Sequence, residues 1–210
     1  MPHLRPYRPA DRPAVYDICV RTADGGADAR GMYVDDRLMG DIFAVPYVTL
    51  EPQHAHLLDD GTGAAVGYVL GTADTATFAR RYREEWLPAT EGRYPEPAQP
   101  PVTPSDRMLH LHLNPERMLV PELADFPAHL HIDLLPEWQG RGHGRELMRT
   151  FWRALRERGV PSVHLVMATA NVPARAFYDR LGFHEIRAAG LDPADVTCLG
   201  RTTEDRVGGS

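Results

Sequence analysis

The clearest pattern of apolar and polar positions lies in the C-terminal half of the chain. Residues 128–135, "AHLHIDLL", alternate in the manner of a strand, and "SVHLVMAT" at 162–169 is apolar almost throughout, as expected of a central strand. Between these two strands, residues 142–159 predict an amphipathic helix, whose apolar face carries Leu147, Met148, Phe151, Trp152 and Leu155. A strand–helix–strand order is therefore predicted for residues 128–169.

A short helix and two terminal strands complete this half. "NVPARAFYDRLG" begins with Asn171, a residue suited to cap a helix N-terminus, and ends with Gly182, a residue suited to close one. "FHEIRAA" and "DVTCLGRT" then predict two strands. The second half of the chain thus alternates strands and helices.

The N-terminal half predicts a short strand followed by a helix that Asp11 caps. Residues 37–50, "RLMGDIFAVPYVTL", predict a second helical segment that Pro46 terminates, because proline has no backbone N–H. Two apolar runs at 56–58 and 65–70 flank a turn rich in Asp and Gly, which predicts a hairpin.

Residues 74–126 break this rhythm. They open with a helical pattern in which Phe78, Tyr82 and Trp86 recur every four positions. A proline-rich stretch at 94–105 follows, and residues 107–126 are short and mixed in pattern. We interpret 74–126 as an insertion over one face of the domain. A loop of this length inside a compact domain is usually functional.

These elements predict an α+β fold, in which one mixed, largely antiparallel sheet carries helices on both faces. The length of 210 residues is compatible with one domain over 1–210 that contains this insertion. The C-terminal "VGGS" takes no part in the prediction.

Composition and charge exclude some classes of partner and location. The 43% hydrophobic and 25% charged residues are typical of globular proteins, and the net charge of −6 argues against a nucleic-acid partner. We expect no membrane association, since the N-terminus shows no secretory pattern and no apolar run reaches about 18 residues. Cys19 and Cys198 stand far apart, which favours a reducing, cytoplasmic location.

The stretch "QGRGHGR", residues 139–145, has three glycines just before a helix. It fails the dinucleotide fingerprint G-x-G-x-x-G, because Arg145 and Leu147 occupy the third glycine position in the two possible registers. It also lacks the Lys and Ser or Thr of a P-loop. Two readings remain open: a glycine-rich turn without a ligand, and a backbone that wraps a pyrophosphate at a helix N-terminus.

Two motifs in register resemble a known family. Residues 139–144, "QGRGHG", match the Q/R-x-x-G-x-G/A motif of the GNAT superfamily of N-acetyltransferases. About thirty residues later, Asn171, Ala174, Phe177, Tyr178 and 181–183, "LGF", match its downstream pattern. The string "HIDLLPEWQGRGHG" is most similar to the acetyltransferase-like C-terminal domain of O-GlcNAcase and its free-standing bacterial relatives.

This resemblance implies a splayed strand pair that binds acetyl-CoA as co-substrate. The strand backbone at Ile132, Asp133 and Leu134 would pair with pantetheine, and the Leu134 N–H would polarise the acetyl carbonyl. Asn171, with Ala174 and Phe177 beside it, would contact the pantetheine arm, although a helix cap alone would explain this asparagine. The pyrophosphate would lie on the loop formed by Gln139, Gly140, Arg141, Gly142, His143, Gly144 and Arg145.

The resemblance also implies catalytic roles. Tyr178 corresponds to the tyrosine that protonates the departing thiolate, and its alternative role is a core aromatic beside Phe177. For the general base, Asp133 is the first candidate, because a carboxylate in an apolar strand needs a reason, and a paired structural carboxylate is the alternative. His131 and His129 share its strand and are further candidates.

Histidine spacing raises a metal hypothesis that we do not favour. His-x-His pairs occur at 54/56, 110/112 and 129/131, but nothing in the sequence makes them converge. The cluster at Arg80, Arg81 and Arg83 is best read as a solvated helix face.

The sequence therefore predicts an acetyl-CoA-dependent N-acetyltransferase that acts on a small-molecule or peptide amine by direct attack in a ternary complex, as a monomer or homodimer. The alternative is an acetyl-CoA-binding or protein-interaction module with little catalysis.

Overall fold

The computed structural model describes residues 1–204, and the terminal "VGGS" lies outside this range. The described residues form one seven-stranded sheet in the order β1-β2-β3-β4-β5-β7-β6. Every neighbouring pair is antiparallel except β4 and β5, which are parallel. The strands are β1 His3–Pro6, β2 His56–Asp59, β3 Ala65–Thr72, β4 Ala128–Leu134, β5 Ser162–Ala168, β6 His184–Ile186 and β7 Val196–Thr202. The predicted α+β class and mixed sheet are confirmed.

Helices cover both faces of this sheet. They are α1 Arg12–Val20, α2 Leu38–Phe43, α3 Val45–Leu50, α4 Thr75–Arg81, a π-helical turn Tyr82–Trp86, α5 Leu87–Thr90, α6 Pro104–Leu113, α7 His143–Arg156 and α8 Val172–Arg180. Helices α1 and α3 contact β3 on one face, whereas α7 contacts β2, β3 and β4 on the other. Gly71 of β3 permits the second contact, because a Cβ atom there would lie 2.5 Å from the Phe151 ring.

The parallel pair β4–β5 separates soon after it begins. Its register contains only Ala128 with Val163 and His129 with His164. Beyond His129, β4 stays paired with β3 as far as Leu134, while β5 stays paired with β7. The predicted splayed pair is therefore present, and it opens a gap toward the carboxyl ends of both strands.

Two local predictions in the N-terminal half were wrong. Asp11 does precede α1, but its carboxylate accepts hydrogen bonds from the Arg5 guanidinium and the Arg8 backbone N–H and does not cap that helix. The segment 37–50 is two helices that break at Ala44, and Pro46 lies in the first turn of the second. Proline fits there because the first-turn N–H groups have no helical acceptor.

The segment 74–126 is more ordered than its pattern predicted. The aromatic residues spaced by four, Phe78, Tyr82 and Trp86, are buried together, as their spacing indicated. Helix α6 begins at Pro104, inside the proline-rich stretch predicted as a loop, and runs into the mixed stretch. Thr103 caps its N-terminus by accepting from the Asp106 N–H. Helix α6 also packs against α2 and was missed because its apolar residues are few.

Asp41 ties this segment to the rest of the fold. Its carboxylate is fully buried and accepts hydrogen bonds from Tyr16, Tyr94 and Arg93. Its backbone carbonyl accepts from the Tyr82 hydroxyl and, at 2.9 Å, from the indole N–H of Trp86. One residue of α2 thus joins α1 and the segment 74–126.

No helix within residues 1–204 is both long and apolar enough to cross a lipid bilayer.

We expect Asp41→Ala to lower the free energy of unfolding by about 3 kcal/mol, because it leaves Arg93 and two tyrosine hydroxyls without their buried acceptor. Urea denaturation measures this loss. The matched control is Asp28→Ala, which removes an exposed pair with Arg30 and should leave the free energy of unfolding nearly unchanged. Equal effects of the two substitutions would contradict the anchoring role of Asp41.

Candidate active site

The gap between β4 and β5 presents unpaired backbone on one edge of β4. The Leu135 N–H donates to the Val66 carbonyl at 3.0 Å, so by alternation the N–H of Leu134 points away from β3 and toward β5. On the opposite wall, Val166 of β5 is 44% exposed although it belongs to an apolar internal strand. The gap therefore combines free backbone hydrogen-bonding groups with exposed apolar surface.

The loop predicted to bind a pyrophosphate follows directly from β4. Within the described residues, the backbone N–H groups from Gly140 to Gly144 donate no hydrogen bond. Gly140 and Gly142 have φ of 71° and 89°, a left-handed conformation that strains any residue with a Cβ atom. The free amides lie at the N-terminus of the fourteen-residue helix α7, where the helix dipole adds positive potential. This arrangement suits an anionic group.

Neighbouring side chains hold the loop in place. The Gln139 side chain donates to the Leu134 carbonyl at 2.8 Å and so ties the loop back to the end of β4. Gly144 packs against Phe177 of α8, where an added Cβ would lie 3.2 Å from the ring. Arg141 lies over the Trp138 ring at 5.7 Å, and Arg145 borders a cavity of about 510 Å³ between α7 and α8. The predicted loop residues are thus brought together, with positive charge beside them.

Asp133 lies on the β4 face that α1 and α3 cover. Its carboxylate accepts a hydrogen bond from the Tyr68 hydroxyl at 2.7 Å. Burial raises the pKa of Asp133 to about 6, against the lowering effect of hydrogen bonds from Tyr68 and Thr22. A carboxyl group with this pKa exchanges its proton near neutral pH, as a general base must.

Tyr178 and Asn171 belong to α8 across the gap. The Tyr178 side chain is buried, and its hydroxyl makes no hydrogen bond within residues 1–204. Burial and the nearby charge of Asp133 raise the pKa of this phenol, so it stays protonated at neutral pH. Asn171 caps α8 by accepting from the Ala174 N–H at 3.1 Å. The cap predicted for Asn171 is confirmed, and its amide NH₂ group makes no hydrogen bond within residues 1–204.

His131 and His129 contact the same tyrosine. The Tyr47 hydroxyl of α3 lies 2.7 Å from Nε2 of His129 and 3.1 Å from Nε2 of His131. His129 is buried, whereas His131 is half-buried beside the gap. Burial lowers the pKa of His131 to about 3, so its imidazole is neutral at physiological pH.

The His-x-His pairs do not converge on a metal. Among residues 1–204, no three side chains of His, Cys, Asp and Glu meet in a metal-binding arrangement. His110 contacts the Ala98 carbonyl and His112 contacts Tyr82, so this pair takes part in the packing of the segment 74–126. The arginines read as a solvated face are paired on the surface, Arg81 with Glu85 and Arg83 with Glu116.

Sequence reasoning missed three residues that surround the site. Tyr68 pairs across β3–β4 with Asp133, and Tyr47 and Thr75 contact the histidines of β4. The pairing of Tyr68 follows from the hairpin register, which a sequence can suggest only when both strands are placed. Tyr47 and Thr75 come from helices whose docking no local pattern indicated.

The sequence is similar to a known protein family and to several characterised proteins. Residues 108–183 match the model of the Acetyltransferase (GNAT) family. The chain is 27% identical over 201 residues to Protein O-GlcNAcase of Rattus norvegicus, a match that covers 95% of this chain and 22% of that protein. The chain thus spans about a fifth of the length of this curated relative. Over 48 residues, 23% of this chain and 14% of the relative, it is 48% identical to mycothiol acetyltransferase of Nocardiopsis dassonvillei.

Solved structures extend the comparison to the whole fold. The crystal structure of SsHAT is 62% identical in sequence, superposes with a TM-score of 0.92, and covers 97% of this chain and 99% of its own. The PaiA N-acetyltransferase of Thermoplasma acidophilum in complex with coenzyme A shares the fold at 11% identity and a TM-score of 0.58, over 96% of this chain and 99% of its own.

The family and the fold indicate acetyl transfer as the activity. The two sequence motifs fall on the loop between β4 and α7 and on α8, which touch where Gly144 packs against Phe177. This chain belongs to the GNAT family of acetyltransferases.

Proposed function

We propose that this protein is an acetyl-CoA-dependent N-acetyltransferase that acetylates a primary amine. The observation that carries the proposal is the run of free backbone N–H groups from Gly140 to Gly144, next to a strand edge that is open at Leu134. The loop fits the pyrophosphate of coenzyme A, because glycine leaves no Cβ atoms to keep phosphate oxygens away. The apolar wall of β5 and the free edge of β4 fit pantetheine, which has both amide and alkyl groups.

The thioester supplies an activated acetyl group, and the chain supplies hydrogen bonds and proton transfers. The Leu134 N–H would donate to the acetyl carbonyl oxygen as negative charge develops there. Asp133, or His131 beside it, would take the proton of the amine as its nitrogen bonds to the carbonyl carbon. Tyr178 would give its proton to the sulfur as the carbon–sulfur bond breaks, and Asn171 would hold the pantetheine arm. Proton and charge then balance without a further reactant.

The acceptor amine would enter from the face of α1 and α3. Asp133 and His131 lie on that face, and the segment 74–126 covers part of it through Asp41. We therefore take this segment as an insertion into one domain over 1–210, and expect it to shape the acceptor pocket. Related acetyltransferases differ in acceptor, so the pocket outside β4 is where specificity would arise.

Titration calorimetry and turnover together test this function. We expect acetyl-CoA and coenzyme A to bind with measurable heat at millimolar ligand or below. Thiol release from acetyl-CoA should depend on an amine when spermidine, kanamycin, free amino acids and a lysine peptide are compared. Absence of binding would refute the proposal, whereas binding without amine-dependent turnover would favour a binding module.

For the loop, we expect Gly142→Ala to weaken coenzyme A binding about tenfold or more, because alanine strains the left-handed backbone conformation that the loop adopts with its amides free. Calorimetry measures the dissociation constant. Gly26→Ala is the matched control, since Gly26 also has a positive φ, of 100°, but lies in a remote turn. Equal affinities of the two variants would contradict the proposed cradle.

For the acid, we expect Tyr178→Phe to lower kcat about 100-fold and to leave coenzyme A affinity within about twofold, because only the transferred proton is lost. Steady-state kinetics and calorimetry measure the two effects. Tyr7→Phe, at the edge of the sheet beside β1, is the control and should leave kcat unchanged. An unaltered kcat in Tyr178→Phe would remove this residue from the mechanism.

For the base, we expect kcat/KM to rise with pH through an apparent pKa near 6, because the carboxylate form of Asp133 accepts the proton and that form exists above its pKa of about 6. The pH–rate profile measures this limb. Asp133→Asn should lower the rate and abolish the limb, while Asp60→Asn, at an exposed turn, should retain both. Persistence of the limb in Asp133→Asn would assign it to another group.

A further inference from the structure

A chain of side-chain hydrogen bonds leads from the start of α4 to the gap between β4 and β5. It begins at the Pro127 carbonyl, which accepts from the Thr75 hydroxyl at 2.8 Å. Thr75 Oγ1 lies 2.8 Å from Nδ1 of His129, and Nε2 of His129 lies 2.7 Å from the Tyr47 hydroxyl. The Tyr47 hydroxyl lies 3.1 Å from Nε2 of His131, where the chain ends.

The carbonyl at one end sets the direction of every bond in this chain. The Pro127 carbonyl also accepts from the Thr75 backbone N–H at 2.8 Å. Two oxygens 2.8 Å apart need a proton between them, and a carbonyl has none to give, so the hydroxyl proton of Thr75 points to Pro127. Thr75 Oγ1 must therefore accept from Nδ1–H of His129, and neutral His129 then has a bare Nε2. That nitrogen accepts the Tyr47 proton. The Tyr47 oxygen in turn accepts from Nε2–H of His131.

This assignment leaves Nδ1 of His131 without a proton. The imidazole is neutral, so it carries one proton only, and the chain places that proton on Nε2. Within residues 1–204, Nδ1 of His131 makes no hydrogen bond, and the side chain is half-buried beside the gap. His131 thus carries a fixed hydrogen-bond acceptor, Nδ1, on the part of β4 that borders the gap.

Burial protects the chain from alternative partners. Tyr47 is 2% exposed and His129 6% exposed, and the Tyr47 ring stacks on Phe78 with 4.3 Å between centroids. Water therefore cannot replace Tyr47 or Thr75 as partners, and a misdirected proton would leave a buried donor or acceptor unpaired. The free-energy cost of an unpaired buried group therefore fixes the direction of each hydrogen bond in the series.

His131 and Asp133 occupy alternate positions of β4 and therefore share one face. Asp133 is already a hydrogen-bond acceptor, since it accepts from Tyr68. The face thus presents two acceptors, a carboxylate oxygen and Nδ1 of His131. A primary amine carries enough N–H groups for both, whereas an alcohol carries one O–H and would leave one acceptor unpaired.

We propose that Tyr47, Thr75 and His129 are positioning residues that hold His131 as a hydrogen-bond acceptor for the acceptor amine, so that the site selects an amine over an alcohol. This inference rests on the proposed N-acetyltransferase function. His131 Nδ1 accepts one N–H and orients the nitrogen lone pair, while Asp133 takes the proton that leaves as the carbon–nitrogen bond forms. Tyr178 protonates the sulfur, as above.

Thr75→Val provides the decisive test, because it acts on His131 through two intervening residues. Valine cannot accept from His129, so the direction of the chain is no longer set. His129 can then donate through Nε2 to Tyr47, and Tyr47 can donate to Nε2 of His131, which moves the His131 proton to Nδ1. Nitrogen-15 NMR of histidine-labelled protein reads the tautomer of each imidazole without any ligand.

In the native protein at pH 7.5, we expect His129 to carry its proton on Nδ1 and His131 on Nε2. Thr75→Val should give His131 a substantial Nδ1–H population, and Thr75→Ser, which keeps the hydroxyl, should restore the native tautomers. The matched control is Thr90→Val. Thr90 is also buried and its hydroxyl also lies within hydrogen-bond distance of a histidine, His112, but it takes no part in this chain of hydrogen bonds. This control should leave both tautomers unchanged.

Kinetics supply the second readout. With the panel amine that is acetylated fastest, Thr75→Val and Tyr47→Phe should lower kcat/KM for the amine about tenfold and leave KM for acetyl-CoA unchanged. Thr75→Ser should recover most of the loss. A His131 proton on Nδ1 in the native protein, or a His131 tautomer unaffected by Thr75→Val, would overturn this inference. Absence of acetyl-CoA turnover with normal tautomers would instead refute the proposed function.

Discussion

The separation of β4 from β5 is the constraint on which the rest of the structure depends. Parallel pairing lasts only from Ala128 to His129, after which each strand keeps just one sheet neighbour. A strand edge inside a sheet is normally paired, because unpaired buried backbone groups cost free energy. Here β3 pairs with the outer edge of β4 and β7 with the outer edge of β5, while the edges that face each other stay unpaired. The N–H of Leu134 and the apolar surface of Val166 are exposed in this gap. The glycine-rich loop at 139–145 follows β4 after one 3-10 turn, Pro136–Trp138, so the gap and the loop lie together.

The two faces of β4 serve different purposes. Ile132 and Leu134 face α7 and continue the apolar core, in which Phe151 packs closely on Gly71. His129, His131 and Asp133 face α1 and α3, where tyrosines supply hydroxyl groups to each of them. Side chains at alternate positions of β4 therefore have different roles: one set packs in the core, and the other set forms hydrogen bonds on the opposite face. The polar positions tolerate burial because each has a hydrogen-bond partner.

Buried hydroxyl groups organise the helical layer above that face. Tyr16 and Tyr94 bind the carboxylate of Asp41, while Tyr47 and Thr75 bind the histidines of β4. The Asp41 carboxylate in the first network and the Pro127 carbonyl in the second can only accept, and this fixes the direction of the hydrogen bonds. Such networks favour one arrangement of helices, because any other arrangement leaves buried groups unpaired. The segment 74–126 is thus part of the layer that covers the candidate acceptor side.

The sequence by itself determined the order of most elements, the sheet class and the loop at 139–145, because periodicity, glycine spacing and helix caps are local properties of the chain. It also indicated Tyr178 through two motifs in register, and Asp133 and His131 as polar side chains on an apolar strand. It could not place Tyr47, Tyr68 or Thr75, which reach β4 from positions 54 to 84 residues away in the chain. Nor did it show that Asp11 binds Arg5, or that α6 packs on α2. Those features depend on which helix lies over which strand, and only tertiary packing decides that, because burial creates the unpaired groups that select their partners.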